Sequence, residues 1–190
     1  MHSARFLLLA ALSMGAASAQ TCDRACLKTT LDQYLNAVVK HDPKAAPLFE
    51  GFRQTDNGVV VRPGTGTWQS ITALGKVQRS YFDPVSGQAA YLGLIEEGQA
   101  VDVATLRLRV EAKKITEAEW VIAREGALGP GGTSSGNLYN LAGFLAEPPL
   151  TRTVPANKRS SRELLIAIAN SYFDGLTTHD GSIIKIGRAH

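Results

Sequence analysis

Charged residues are sparse in this 190-residue chain, with Asp, Glu, Lys and Arg together making up 19%. Lys and Arg nowhere cluster among aromatics, which speaks against a nucleic-acid surface. The formal charge of +3 includes Arg5, Lys185 and Arg188 near the two ends, and the rest of the chain balances to zero. Only two cysteines occur, Cys22 and Cys26. Two thiols are too few for a four-ligand zinc site, and C-x3-C is not the thioredoxin spacing. No apolar run is long enough to cross a bilayer as a helix. HExxH helices and nucleophile elbows are missing, and the loop around Gly64 and Gly66 lacks both the Lys and the helix of a phosphate-binding loop. No metal and no cofactor is therefore expected.

The two ends carry their own signals. Met1 to Ala19 reads as a secretory signal, with Arg5 as the charged region, Phe6 to Leu12 as the apolar region and Ala17-Ser18-Ala19 as the cleavage site. The expectation is a protein that is secreted or periplasmic, starts at Gln20 and has no membrane segment after cleavage. Export makes a Cys22–Cys26 disulfide reasonable. On a continuous helix an i,i+4 pair holds its Cβ atoms about 5–6 Å apart, wider than a disulfide accepts. The bond thus requires a frayed or non-helical first turn, and in a longer chain either cysteine could instead pair elsewhere. At the other end, Lys185-Ile186-Gly187-Arg188-Ala189-His190 matches one reading frame of a sequencing adapter. The native chain is then expected to continue beyond about Ile184.

What the chain does have is an internal repeat. Tyr34-Leu35-Asn36-Ala37-Val38-Val39-Lys40-His41-Asp42 returns as Tyr172-Phe173-Asp174-Gly175-Leu176-Thr177-Thr178-His179-Asp180, each copy closing a helix-like stretch. The first helix runs from Asp23 to His41, with Leu27, Leu31, Tyr34, Leu35 and Val38 at helical spacing. Asp42-Pro43 restarts a short helix to about Phe49. Asn57-Gly58 turns between Phe52–Thr55 and Val59–Arg62, and a third helix is expected over Ser70 to Ser80. Strands follow at Ala89–Glu97, Val101–Ala112 and Ile115–Arg124, the later two with period-two alternation that marks one buried face. Residues 126–159 read as a Gly/Ser/Pro-rich linker. Ser160 and Glu163 form a capping-box signature for a helix from Ser161 to His179.

This order of elements resembles the nuclear-transport-factor-2-like fold, to which ketosteroid isomerases and SnoaL-like cyclases belong. More closely, the chain resembles an uncharacterised exported family of tandem SnoaL-like units. Cys22-Asp23-Arg24, Thr55-Asp56-Asn57-Gly58 and Gly64-Thr65-Gly66-Thr67-Trp68 carry that likeness over about Cys22 to Asp180. The resemblance implies an α+β fold in which a curved antiparallel sheet wraps the N-terminal helix as a cone. Residues 20–125 would form this cone, and 160–184 would open a second, incomplete unit.

Three polar residues are candidates for chemistry. In ketosteroid isomerases a tyrosine placed like Tyr34 donates a hydrogen bond to a developing oxyanion, and Asp56 falls near their general base. The alternative for Tyr34 is core packing with a hydrogen-bonded hydroxyl, and for Asp56 it is turn chemistry before Asn57-Gly58. Asp102 shares parity with Ala104, Leu106, Leu108 and Val110, so it lies either on the cone-lining face or at an exposed strand entry. Trp68, Tyr91 and Trp120 would supply an aromatic wall, or pack a core. His41 and His179 read as helix C-terminal residues beside capping Asp42 and Asp180. Three functions fit: an exported protein binding a hydrophobic small molecule through Tyr34, Trp68, Tyr91, Asp102 and Trp120; an acid–base isomerase, lyase or cyclase acting on a hydrophobic carbonyl compound; or a structural or interaction domain. A homodimer is compatible with each.

Overall fold

A computed structural model describes residues 22–124, 145–146 and 154–185. Chain contacts divide it into two units, Met1–Pro149 and Leu150–His190. The signal, most of the linker and all but the first residue of the terminal basic stretch fall outside the described residues.

In the first unit, helix α1 spans Arg24–Val39. Asp23 caps it, its carboxylate accepting from the Cys26 N–H at 2.8 Å. Cys22 stands before the cap, outside the helix, which is why it reaches Cys26 in a disulfide with a Cα–Cα distance of 5.2 Å. Leu27, Leu31, Tyr34, Leu35 and Val38 form the buried stripe. The helix stops where His41 takes a left-handed conformation, φ 55°. Asp42 then accepts from the Lys44 N–H and starts a 3₁₀ turn, Pro43–Ala45.

Six strands follow, with a four-residue helix between the second and third: β1 Leu48–Asp56, β2 Val59–Val61, α2 Thr67–Ser70, β3 Ala73–Asp83, β4 Gln88–Glu97, β5 Ala100–Glu111 and β6 Lys114–Ala123. They make one open sheet in the order β2-β1-β6-β5-β4-β3. The architecture is α+β, with α1 packed on β3 and β4. Positive φ at Asn57 and Gly58, and again at Ala112 and Lys113, makes tight hairpin turns of the kind that suits strand twist.

Three expectations need correction. The sheet is not wholly antiparallel, because β1 runs parallel to β6, with Thr55 opposite Glu119. The helix expected after Pro43 is only the 3₁₀ turn, since Pro47 and then β1 intervene. The helix expected over Ser70 to Ser80 is mostly β3. Its Val77, Tyr81 and Phe82 favour a strand, and Asp83 closes the turn to β4 by accepting from the Val85 N–H and the Ser86 hydroxyl. Gly75 is needed there, because a Cβ would meet Leu94 Cβ at 2.5 Å.

In the second unit, helix α3 spans Arg162–Thr178. Its cap is Ser161, one residue later than the capping-box spacing indicated, and the Ser161 hydroxyl accepts from the Leu164 N–H at 3.1 Å.

The disulfide encloses so few residues that chain-entropy arguments allow it about 2 kcal/mol at most. Replacing Cys22 and Cys26 together by serine should therefore lower the urea midpoint modestly and leave the fold intact. A complete loss of folded protein would show that the bond carries more than the α1 entry.

Candidate functional site

The core-facing side of the sheet is the even-numbered side of β5, with Ala104, Leu106, Leu108 and Val110 all buried. Two groups of polar side chains interrupt this apolar surface, one at each of two places along the strands.

The first group is built around Gln54 of β1, which is 1% exposed. Its side-chain oxygen accepts from the Tyr34 hydroxyl at 2.8 Å and from Trp68 Nε1 at 2.7 Å. Its nitrogen donates to Thr67 Oγ1 at 2.8 Å and to Asp56 Oδ1 at 2.9 Å. Trp120 Nε1 donates to the Tyr34 oxygen at 3.3 Å. Asp56 also receives the Thr67 N–H at 2.7 Å, so it ties β1 to the start of α2. Gly66 permits this approach, since a Cβ there would lie 2.3 Å from Asp56 Oδ2. Tyr34 packs edge-on to Trp68, with ring centroids 5.2 Å apart. Burial pushes the Tyr34 hydroxyl above the ordinary phenol range. Its proton is committed to Gln54, so Tyr34 neither ionises readily nor points a free donor at a substrate. Tyr91 joins through an edge contact with Trp120 at 6.5 Å. Its own hydroxyl donates to the Leu94 carbonyl at 2.7 Å.

The second group lies at the far end of the same face. Asp102 is 2% exposed and stands opposite Ile95 in the β4–β5 ladder. Glu97 and Arg124 share its face, continuing the core-facing parity of Ile95 on β4 and of Trp120 and Ile122 on β6. Arg124 donates to both Glu97 oxygens, at 2.5 and 2.8 Å. The Ser70 hydroxyl at the end of α2 donates to the same carboxylate. The Arg124 fork, and less so Ser70 and Asp102, holds the Glu97 carboxyl below its usual range.

The structure thus brings Tyr34, Trp68, Trp120 and Asp56 together, joined by Gln54, and sets Tyr91 beside them. It leaves Asp102 apart. Trp120 faces Leu106 across the β5–β6 ladder, and Asp102 lies four residues further along β5, about 13 Å at strand rise. A Tyr34–Asp102 pair is therefore not formed. Gln54, Thr67, Glu97 and Arg124 were not among the sequence candidates. For Gln54, Glu97 and Arg124 the signal was parity, since each is a polar residue at a position that its strand neighbours mark as core-facing; Thr67, the first residue of α2, gave no such signal.

A pH dependence follows for Glu97. A carboxyl depressed in the folded state adds stability above its unfolded pKa, about 4.3, and loses it as pH falls through the folded value. Wild type should exceed Glu97→Gln in urea stability near pH 7, and the gap should close below about pH 4. A gap that persists unchanged in acid would mean that the Arg124 pair is not the cause.

On the other side of the sheet, Arg107 bridges Glu117 and Glu119 at 3.1 Å each. A groove of about 350 Å³ there is lined by Tyr81, Leu92, Arg107, Glu119 and Val121. Among the described residues no cluster of three or more His, Cys, Asp or Glu is placed to hold a metal ion, and no helix is long and apolar enough to cross a membrane.

Comparison with known proteins adds the following. Residues 158–189 match the model of a domain of unknown function, DUF8021. No curated protein matches. Among solved structures, a protein of unknown function with a cystatin-like fold from Methylobium petroleophilum PM1 is similar at 14% identity and a TM-score of 0.47, over 74% of this chain and 99% of that one. AusH from Aspergillus nidulans is similar at 8% identity and a TM-score of 0.44, over 59% and 92% of the two chains. A protein from Sphaerobacter thermophilus is similar at 13% identity and a TM-score of 0.43, over 50% and 94%.

Proposed function

We propose that this chain is an exported binding protein for a hydrophobic small molecule, with Met1 to Ala19 as its signal and residues 22–124 as a cone of the SnoaL-like, nuclear-transport-factor-2-like kind. The observation that carries this reading is the placement of Glu97, Asp102 and Arg124 at one end of a largely apolar core face. In this reading the Glu97–Arg124 pair, with Asp102 beside it, meets the polar end of a ligand whose body is apolar, the usual division of labour in such sites. The Tyr34–Gln54 group plays the other part. Its donors and acceptors satisfy one another, so it supports the aromatic wall of Trp68 and Trp120 rather than touching the ligand.

One observation favours the acid–base alternative. Asp102 lies beside the Glu97 carboxyl, which is held below its usual range, and two carboxyls sharing one site are a starting point for proton transfer. In that reading Asp102 serves without Tyr34, on a hydrophobic carbonyl compound.

Saturation-transfer NMR with a panel of apolar alcohols and ketones tests both. Binding should be lost in Asp102→Asn and retained in Tyr34→Phe. Turnover of any ketone that vanishes in Asp102→Asn would move the assignment to the enzyme. Binding that survives Asp102→Asn but is abolished by Tyr34→Phe would overturn the placement of the site.

A further inference from the structure

β1 leaves β6 just past Asp56, which stands opposite Trp120. Asn57 takes a positive φ of 49° and Gly58 one of 81°, and the chain turns back into β2. β6 continues to Ala123. On one side β5 still accompanies it, with Ala104 opposite Ile122 and Val103 opposite Ala123. On the other side the parallel ladder has ended. A strand continuing there would supply an acceptor for the Ile122 N–H and a donor for the Ile122 carbonyl, since both backbone groups need partners.

The Asn57 side chain supplies both. Its backbone N–H donates to the Trp120 carbonyl at 2.8 Å, as the ladder requires. Its Oδ1 accepts from the Ile122 N–H at 2.7 Å, and its Nδ2 donates to the Ile122 carbonyl at 3.0 Å. The carboxamide thus takes the place of the next peptide group of β1, and β6 is held on both sides beyond the end of that strand. Few residue types can do this. The turn requires a left-handed backbone here, which Asn tolerates better than most. Gly would satisfy the turn but carries no amide, and an ionised Asp would accept without donating.

Arg124 lies two residues beyond the held position. From the end of β6 it reaches across β5 to Glu97 of β4 and donates to both carboxylate oxygens. Its side chain is 39% exposed, against 11% for Glu97. A long, half-solvated side chain loses conformational freedom in such a pair, so the pairing depends on where the backbone aims it.

We infer that Asn57 is a positioning residue for the Glu97–Arg124 pair: its carboxamide fixes the end of β6 so that Arg124 is aimed across the sheet at Glu97. The polar end of the site is then formed before a ligand arrives, a consequence that rests on the ligand reading proposed above.

The test separates the amide from the turn. Asn57→Gly keeps a residue at ease with positive φ and removes both bonds to Ile122. Gly58→Ala does the reverse. A Cβ there meets nothing within 4 Å, but the positive φ strains it, so the hairpin weakens while the carboxamide stays. Hydrogen exchange at the Ile122 amide and the carbon-13 titration of the Glu97 carboxyl, assigned with Glu97→Gln, are followed in both variants. Arg124, Ser70 and Asp102 are the groups that face Glu97, and Arg124 does most to keep its carboxyl low. In Asn57→Gly the Ile122 amide should exchange roughly tenfold faster, as expected for one lost hydrogen bond. The Glu97 titration should move up towards the ordinary value of about 4.3. In Gly58→Ala both should stay as in wild type although the urea midpoint falls. An unmoved Glu97 titration in Asn57→Gly would overturn the inference, because pairing with β5 alone would then aim Arg124. An equal upward shift in both variants would overturn it too, by making a loosened hairpin the cause. The ligand link is read separately, by saturation transfer with a ketone or alcohol that binds wild type, and binding should weaken in Asn57→Gly. A titration that moves while binding stays unchanged would keep Asn57 as the anchor of Arg124 and overturn the placement of the ligand at that pair.

Discussion

Replacing Gln54 by alanine is expected to cost about 4 kcal/mol. The substitution removes the acceptor of the Tyr34 hydroxyl and of Trp68 Nε1 in a region closed to solvent. A buried donor left without a partner costs about 1–3 kcal/mol, and two are created at once. Thr67 and Asp56 lose a donor in addition. A loss of this size is a large part of the roughly 5–15 kcal/mol that stabilises an ordinary domain. Urea denaturation measures it. A loss below about 1 kcal/mol would mean that water reaches Tyr34 and Trp68, which describes an open pocket rather than a packed network.

The second large effect comes from comparing the same change at the two corresponding helix positions. Leu27 is fully buried and Leu165 is 56% exposed. Leu27→Ala removes methyl groups from a filled core and leaves a cavity, so it should cost about 3 kcal/mol. Leu165→Ala removes them from a surface and should stay within about 0.5 kcal/mol. Thermal melts of the two variants would show the difference directly. Light scattering adds a second readout: an uncovered apolar face promotes self-association, so Leu165→Gln together with Leu176→Gln should reduce scattering. Equal destabilisation by Leu27→Ala and Leu165→Ala would show that the α3 face is already covered in solution.

Much of this architecture was legible in residue order. The α1 stripe, the alternation of β5 and β6 and the Asn57-Gly58 turn all follow from local spacing, and local spacing is what a sequence displays openly. Asp102, for which residue order left both the core face and an exposed strand entry open, is buried. β3 was not read as a strand despite Val77, Tyr81 and Phe82, because the pairing with β4 that defines it joins residues as far apart as Ala73 and Glu96. The parallel β1–β6 pairing was hidden for the same reason, since it joins residues more than 60 positions apart. The Gln54 network was missed on different grounds. Tyr34 and Asp56 drew attention as reactive types, while the amide that connects them looked ordinary. A polar residue of unreactive type on a buried face is a structural hub as readily as a site. The Glu97–Arg124 pair could have been found by continuing the parity of Ile95 and Ile122 by two residues, past the point where the strands cease to be apolar.

The central claim is that Tyr34 is locked inside the first unit by the network around Gln54. Tyrosinate absorbance followed against pH in wild type and in Tyr34→Phe tests it most directly. The two curves should coincide until the protein unfolds in alkali, because burial keeps the Tyr34 hydroxyl protonated throughout the folded range. A titration step present in folded wild type and missing from folded Tyr34→Phe would contradict the account, and would return Tyr34 to the position of a solvent-accessible acid.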